Sequence, residues 1–285
     1  ERFRSVEFRD IESQSRRDNK STSQRVNESE FNFTTTCKDE LPTIIADSRM
    51  PEEAKKNLKK LGNVLFINPT SVTYNSISSH PDIFFFQKDD ALIYAPNAPK
   101  RIIKELKKRK IKLIEGKKEV GKKYPETVPY NAVGIENLLI HNLKHTDETI
   151  LSSYENHINV NQGYTRCNLL ALNENAFITS DVGIFNAVNS QQTTDNSLYP
   201  HESLVETYVR TSVLYIDPKQ IKLEGQKNGF FPGCCGVWKN NLIVCGSTKN
   251  LKEKAELDKF LKDNNFNLIE LYDGDLIDVG SVFFN

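Results

Sequence analysis

Three stretches of this chain share one 17-residue shape without a gap: "HPDIFFFQKDDALIYAP" (80–96), "YTRCNLLALNENAFITS" (164–180) and "FPGCCGVWKNNLIVCGS" (231–247). Each reads as an apolar strand, a polar turn ("KDD", "NEN", "KNN") and a second apolar strand. A hairpin repeated along a chain must bury the same face each time, so the repeat predicts a fold built from equivalent units.

Amphipathic helices followed by short apolar strands fill the intervals. "PEEAKKNLKKLG" (51–62) spaces Ala54, Leu58 and Leu61 at helical intervals and closes on Gly62. Further helices are expected at 99–110, 146–157, near 201–210 and at 251–264, with strands after them at 63–68, 111–115, 158–160, 212–217 and 266–272. A shorter hairpin, "YNAVGIENLLIHN" (130–142), precedes the 146–157 helix and turns at Glu136-Asn137. The 51–62 helix lacks a full hairpin; only "PTIIADS" (42–48) precedes it, while "GDLIDVGSVFFN" (274–285) ends after one strand. If that last strand pairs beside 43–47, a fifth strand–strand–helix–strand unit is completed from both ends of the chain. The expected fold is therefore an α/β propeller of five such modules around a pseudo-fivefold axis. An ordinary α/β sheet with alternating helices is the other reading.

Residues 1–42 form a polar extension rich in Ser, Arg, Asn and Glu, suited to a flexible or partner-ordered arm, so 43–285 is expected to be the single folded domain. Lys plus Arg equals Asp plus Glu at 38 each, which gives no global field toward nucleic acid or a membrane surface. The basic run 100–118 keeps Ile102, Ile103 and Leu106 on one face, so its lysines read as the solvated side of a helix. No stretch approaches the roughly 20 apolar residues of a membrane span. Five cysteines without a CxxC, and no leader segment, suggest reduced thiols and a cytoplasmic setting. Zinc-protease, dinucleotide, P-loop and serine-elbow motifs are missing, so neither a cofactor nor a metal is expected.

Read as strands, the opening positions of the repeats divide between two faces. One face carries Ile83, Cys167 and Cys234 and reads as core. The other carries His80 and Asp82, then Tyr164, Arg166 and Asn168, then Cys235, and from the last segment Asp278. A propeller would bring this second set around one cavity suited to a small polar ligand.

Five strand–strand–helix–strand modules resemble the pentein fold of arginine deiminases, amidinotransferases and dimethylarginine hydrolases. The same fold serves a translation-initiation factor that does no chemistry. "HPDI", "GYTRCN", "SDVGI", "GFFPGCCG" and "DVGS" resemble more closely an uncharacterised bacterial family assigned to this guanidino-modifying-enzyme fold, over about 43–285. The resemblance implies a cysteine nucleophile attacking a guanidinium carbon, with Cys235 in that role and His80 as acid/base. Asp82 and Asp278 would clamp the guanidinium; Arg166, Tyr164 and Asn168 would line the pocket. In those enzymes the nucleophile sits near the C-terminus, where this chain has "DVGSVFFN" and no cysteine. Two readings follow: a hydrolase or transferase acting on C–N bonds of a guanidino or amino compound, or a non-catalytic binding or scaffold protein with Arg166 neutralising the aspartates. A third reading has the polar tail and the basic 100–118 helix recruit a protein or RNA partner, with the propeller as a platform.

Overall fold

The last strand of the chain, Phe283–Phe284, pairs antiparallel with Thr43–Asp47 near its beginning, Phe283 opposite Ile45 and Phe284 opposite Ile44. The computed structural model describes residues 24–25, 41–190 and 211–285. The expectations for most of the 1–42 extension and for a helix near 201–210 lie outside the described residues.

In chain order, β1 (Gln24–Arg25) comes from the polar extension. β2 (Thr43–Asp47) leads through α1 (Glu52–Leu61) to β3 (Asn63–Ile67), which pairs parallel with it. A helical turn α2 (Pro81–Phe84) then opens the hairpin β4 (Phe85–Lys88) and β5 (Ala91–Tyr94), and α3 (Lys100–Lys108) crosses to the parallel β6 (Lys112–Glu115). β7 (Val133–Ile135) and β8 (Leu138–His141) form the next hairpin, joined by α4 (Glu148–Leu151) to β9 (Asn156–Asn159). A second turn, α5 (Thr165–Asn168), opens β10 (Leu169–Asn173) and β11 (Ala176–Thr179), which lead through α6 (Val182–Ser190) to β12 (Ser212–Tyr215). A 3-10 turn over Phe231–Cys234 opens β13 (Cys235–Trp238) and β14 (Asn241–Val244), and α7 (Lys254–Asp263) crosses to β15 (Asn267–Glu270). The closing strand is β16 (Phe283–Phe284). β1 adds in parallel to the free edge of β15. Among the described residues this makes five small mixed sheets, four of three strands and one of four.

The pattern has a plain physical cause. The middle strands β2, β5 and β11 are buried along their whole length, as strands covered on both faces must be. α3 buries Ile102 and Leu106 and leaves Lys100, Lys104, Lys107 and Lys108 exposed, so the basic run is a solvated helix face. No helix of the described residues is long and apolar enough to cross a membrane.

Three expectations need correction. Near the start of the long hairpins, residues 81–84, 165–168 and 231–234 form helical turns, not strand. Pro81 and Pro232 sit at the start of theirs, where a fixed φ and a missing N–H cost nothing. In α5 the Asn131 side-chain oxygen accepts the N–H groups of Arg166 (2.8 Å) and Cys167 (3.2 Å). Side chains here follow a helical turn rather than alternating across a sheet.

Second, the third repeat is displaced by one residue from the gapless alignment. The carbonyls of Phe84, Asn168 and Cys234 accept the N–H just past the second strand, from Ala95, Ser180 and Cys245, each at 2.9 Å. Cys234, not Cys235, therefore stands where Phe84 and Asn168 stand, and Cys235 begins its strand like Phe85 and Leu169.

Third, the expected 146–157 helix is a single turn. Asp147 caps it through Thr149 N–H (2.8 Å), and the Ser153 hydroxyl then takes the Thr149 carbonyl (2.6 Å). Side-chain competition of this kind ends helices. α6, which sequence periodicity did not suggest, is started by Asp181 accepting the Ile184 N–H at 2.8 Å.

Candidate functional site

α2, α5, the Phe231–Cys234 turn and the loop before β16 bring their polar side chains together. Asp82 of α2 is fully buried. Its Oδ2 accepts the Cys167 thiol and the Ser281 hydroxyl, both at 3.0 Å, while its Oδ1 has no partner among the described residues. His80, the N-cap of α2, is 1% exposed, and neither ring nitrogen makes a hydrogen bond among the described residues. Its Nε2 lies 3.8 Å from Asp47 Oδ2. One donor atom from each of His80, Asp82 and Cys167 can be chosen so that all lie within 4.8 Å of one another.

Asp278 accepts the backbone N–H groups of Phe230 and Gly280 at 3.0 Å each. Burial pushes its carboxyl up to about 6, a rise that nearby His80 reduces and the Asp82 carboxylate adds to. Arg166 is partly buried and donates to the carbonyls of Pro232 (3.3 Å) and Cys235 (3.4 Å), its guanidinium 5.8 Å from the Phe283 ring centroid. It makes no carboxylate contact within ion-pair distance among the described residues, although its field reaches Asp82 and Asp278. Asn168 donates to the Tyr164 carbonyl at 2.8 Å, and its own buried Oδ1 has no partner among the described residues. The Tyr164 hydroxyl bonds Thr127 (2.6 Å) and Tyr74 (2.9 Å), the latter on the exposed side.

The two cysteines exchange places relative to the sequence reading. Cys235 donates its thiol to the Phe231 carbonyl at 3.1 Å and packs with Leu170, Phe231 and Leu242, as its shifted register requires. Cys167, read from sequence as core, touches Asp82. Burial raises both thiols; the Asp82 carboxylate adds to the rise at Cys167, whereas Arg166 partly offsets it at Cys235. His80, Asp82, Asp278 and Arg166 do come together.

Residues that sequence reasoning missed hold this group in place. Asn131 caps α5 and donates to the Asp82 carbonyl (3.2 Å) and the Cys167 sulfur (3.4 Å), tying two repeats together. Asp47 is clasped by Arg49 (2.7 Å) and Ser79 (2.8 Å). Nothing in "YNAV" or "ADSR" marks these side chains without the three-dimensional pairing. A cleft of about 530 Å³ lies beside the group, lined by Asp47, Arg49, Ser76, His80, Gln226 and Asp278 among others; Asp82, Arg166, Cys167 and Asn168 lie behind its wall. The arrangement offers unpartnered acceptors (Asp82 Oδ1, Asn168 Oδ1), an imidazole and a thiol, chemistry suited to a cationic ligand with N–H donors.

The Asp278 carboxyl predicts a pH dependence. Its folded value lies above the ordinary carboxylate value of about 3.9, so between about pH 4 and pH 6 the folded protein binds the extra proton. Stability is then greatest below that window, falls as pH rises through it by up to about 3 kcal/mol, and is flat above. Asp278→Asn is expected to remove this fall. Denaturant midpoints of the two proteins across the window should diverge; parallel profiles would refute the assignment.

Comparison with solved structures places the fold. The C. jejuni agmatine deiminase with substrate bound matches with a TM-score of 0.50 at 12% identity, over 86% of this chain and 93% of that one. The inosamine-phosphate amidinotransferase of Streptomyces griseus gives 0.47 at 11%, over 85% and 94%. DDAH from Pseudomonas aeruginosa complexed with citrulline gives 0.46 at 10%, over 81% and 92%. The first of these matches shows a pentein-type fold. No curated protein matches the sequence. Residues 45–283 match the model of DUF6873, a family of unknown function, and the chain belongs to that family.

Proposed function

We propose that residues 43–285 form one five-module α/β propeller. In this reading, the polar group on its axis binds a small guanidino or amino compound and acts on a C–N bond through a cysteine. The observation that carries the proposal is the convergence of His80, Asp82 and Cys167 from two different repeats, beside unpartnered acceptors and a cleft. The fold shared with agmatine deiminase supports the substrate class.

Cys167 takes the nucleophile's role here in place of Cys235, because it is the thiol next to His80 and Asp82. A bound guanidinium donates to Asp82 Oδ1, and its positive charge favours the thiolate that burial otherwise disfavours. His80 accepts the thiol proton as sulfur attacks the guanidinium carbon, and returns it to the departing nitrogen when the C–N bond breaks. Water, or an acceptor amine in a transferase, then attacks the amidino carbon and the thiolate leaves. Asp278 supplies the second carboxyl.

One observation favours the non-catalytic alternative. Arg166 already places a guanidinium within the field of Asp82 and Asp278. The two readings separate in a turnover assay with a panel of guanidino compounds and a chelator present, following released amine or ammonia. Cys167→Ser is expected to lower turnover by at least about 10³-fold while Cys235→Ser leaves most of it. Ligand-induced thermal shifts without turnover would establish the binding protein instead; equal loss in both variants would refute the choice of thiol.

A further inference from the structure

We propose that His80, Asp82 and Cys167 form a binding site for a thiophilic divalent cation of the zinc type. The three donors are an imidazole, a carboxylate and a thiol, all buried, with donor atoms within 4.8 Å of one another. Zinc binds such N, O and S donors at about 2.0–2.3 Å in a tetrahedron, which sets its ligand atoms roughly 3.5 Å apart. The Asp82 oxygen and Cys167 sulfur stand 3.0 Å apart and would open by about half an ångström, while the remaining separations, all within 4.8 Å, would close onto the ion.

A second and independent observation points to a ligand. Among the described residues both His80 nitrogens and Asp82 Oδ1 are buried without a hydrogen-bond partner, although buried polar atoms are nearly always satisfied. The mixed donor set selects against magnesium and calcium, which take oxygen ligands. Charge also balances: a divalent ion plus the Arg166 guanidinium is offset by the Cys167 thiolate and the carboxylates of Asp82 and Asp278. Binding exchanges the thiol proton for the metal–sulfur bond and releases that proton to solvent. Three protein donors leave the fourth tetrahedral position to water, the open form of a zinc site.

The surroundings supply outer-sphere partners of the usual kind. Ser281 donates to Asp82 Oδ2 at 3.0 Å, Asn131 to the Cys167 sulfur at 3.4 Å, and the Asp47 carboxylate lies 3.8 Å from His80 Nε2. The inference uses the same three side chains as the proposed chemistry but not the chemistry itself. It is tested without substrate, whereas turnover is tested under chelation, so either can fail alone.

The test is a cobalt(II) titration of the reduced, metal-free full chain. The expected result is one bound equivalent with a thiolate-to-cobalt charge-transfer band, bleached by added zinc. Cys167→Ser is expected to lose the band and Cys235→Ser to keep it. His80→Ala and Asp82→Asn should weaken cobalt binding by more than about 100-fold, and Ser281→Ala by about 10-fold. The proposal is overturned if the wild-type chain shows no charge-transfer band, or if the band survives Cys167→Ser. Should Cys167→Ser fail to fold, unchanged cobalt affinity in folded His80→Ala or Asp82→Asn overturns it equally.

Discussion

A chain cut after Val282 is expected to lose its cooperative thermal transition. The three residues removed are few, but they join otherwise separate parts of the core. Phe283 packs with Ile45, Phe84 and Phe86, whereas Phe284 packs with Ile44 and stacks on Trp238 at 5.9 Å. Each ring is 2% exposed, and truncating a buried Phe typically costs about 3–5 kcal/mol. The cut also removes the paired bonds between Thr43 and Asn285 (2.6 and 2.9 Å) and the Gln87 bond to the Phe284 carbonyl (2.6 Å). It leaves β2 with an open edge. The combined loss, about 6–10 kcal/mol from the rings alone, matches the whole stability of an ordinary domain, about 5–15 kcal/mol. Near-ultraviolet circular dichroism during heating reads the outcome directly. A wild-type transition in the shortened chain would mean that β16 is an appendage and that the first sheet stands without it.

That pairing could be anticipated because a hairpin repeat with one half missing at each end has an obvious completion. Strand periodicity, helix stripes such as Ile102 with Leu106, and the Glu136 turn, whose φ is +48°, were legible for the same reason: each is a local pattern. What escaped was non-local or one residue wide. The single-turn start of each long hairpin looks like strand because apolar residues fill both states. In α5 the cap is Asn131, 35 and 36 residues upstream of the N–H groups it accepts, and it leaves no mark in the sequence around Thr165.

The candidate site shows the cost of that one residue. His80, Asp82, Arg166 and Asp278 were grouped in the sequence reading because polar side chains there interrupt an otherwise apolar pattern. The gapless alignment then placed Cys235 among them and Cys167 in the core. The hydrogen bonds that close the three hairpins overturn the placement of Cys235, since they equate Cys234 with Asn168 and send Cys235 onto the Phe231 carbonyl. The slip accounts for Cys235 alone; Cys167 reaches Asp82 because α5 is a helical turn, in which side chains do not alternate between two faces. Ser281 and Asp47 were invisible for a different reason: their partners lie 199 and 32 residues away.

Gly280→Ala is expected to cost several kcal/mol, and the loss should fall on His80. Gly280 has φ +64°, a conformation that strains any residue with a Cβ. A Cβ there would stand 2.1 Å from His80 Cβ and 2.2 Å from its Cγ, distances at which one of the two must move. Neither can do so freely. The Gly280 N–H is held by Asp278 Oδ1 at 3.0 Å and its carbonyl by the Asp82 N–H at 3.2 Å, while His80 is walled in on the side of Asp47. Overpacking of this kind costs about 1–3 kcal/mol beyond the roughly 1 kcal/mol of backbone strain. Gly225→Ala separates the two contributions. Gly225 has φ +75° but is exposed, and its nearest neighbour to a new Cβ is the Ser76 hydroxyl at 3.1 Å. That variant should show the strain alone, about 1 kcal/mol, and leave cobalt binding unchanged. Gly280→Ala should lower the denaturant midpoint by clearly more and weaken cobalt binding with it, because the imidazole is pushed out of reach of Asp82 and Cys167. Equal costs in the two variants would mean that the loop yields to the methyl group, and that His80 is not pinned by "DVGS" at all.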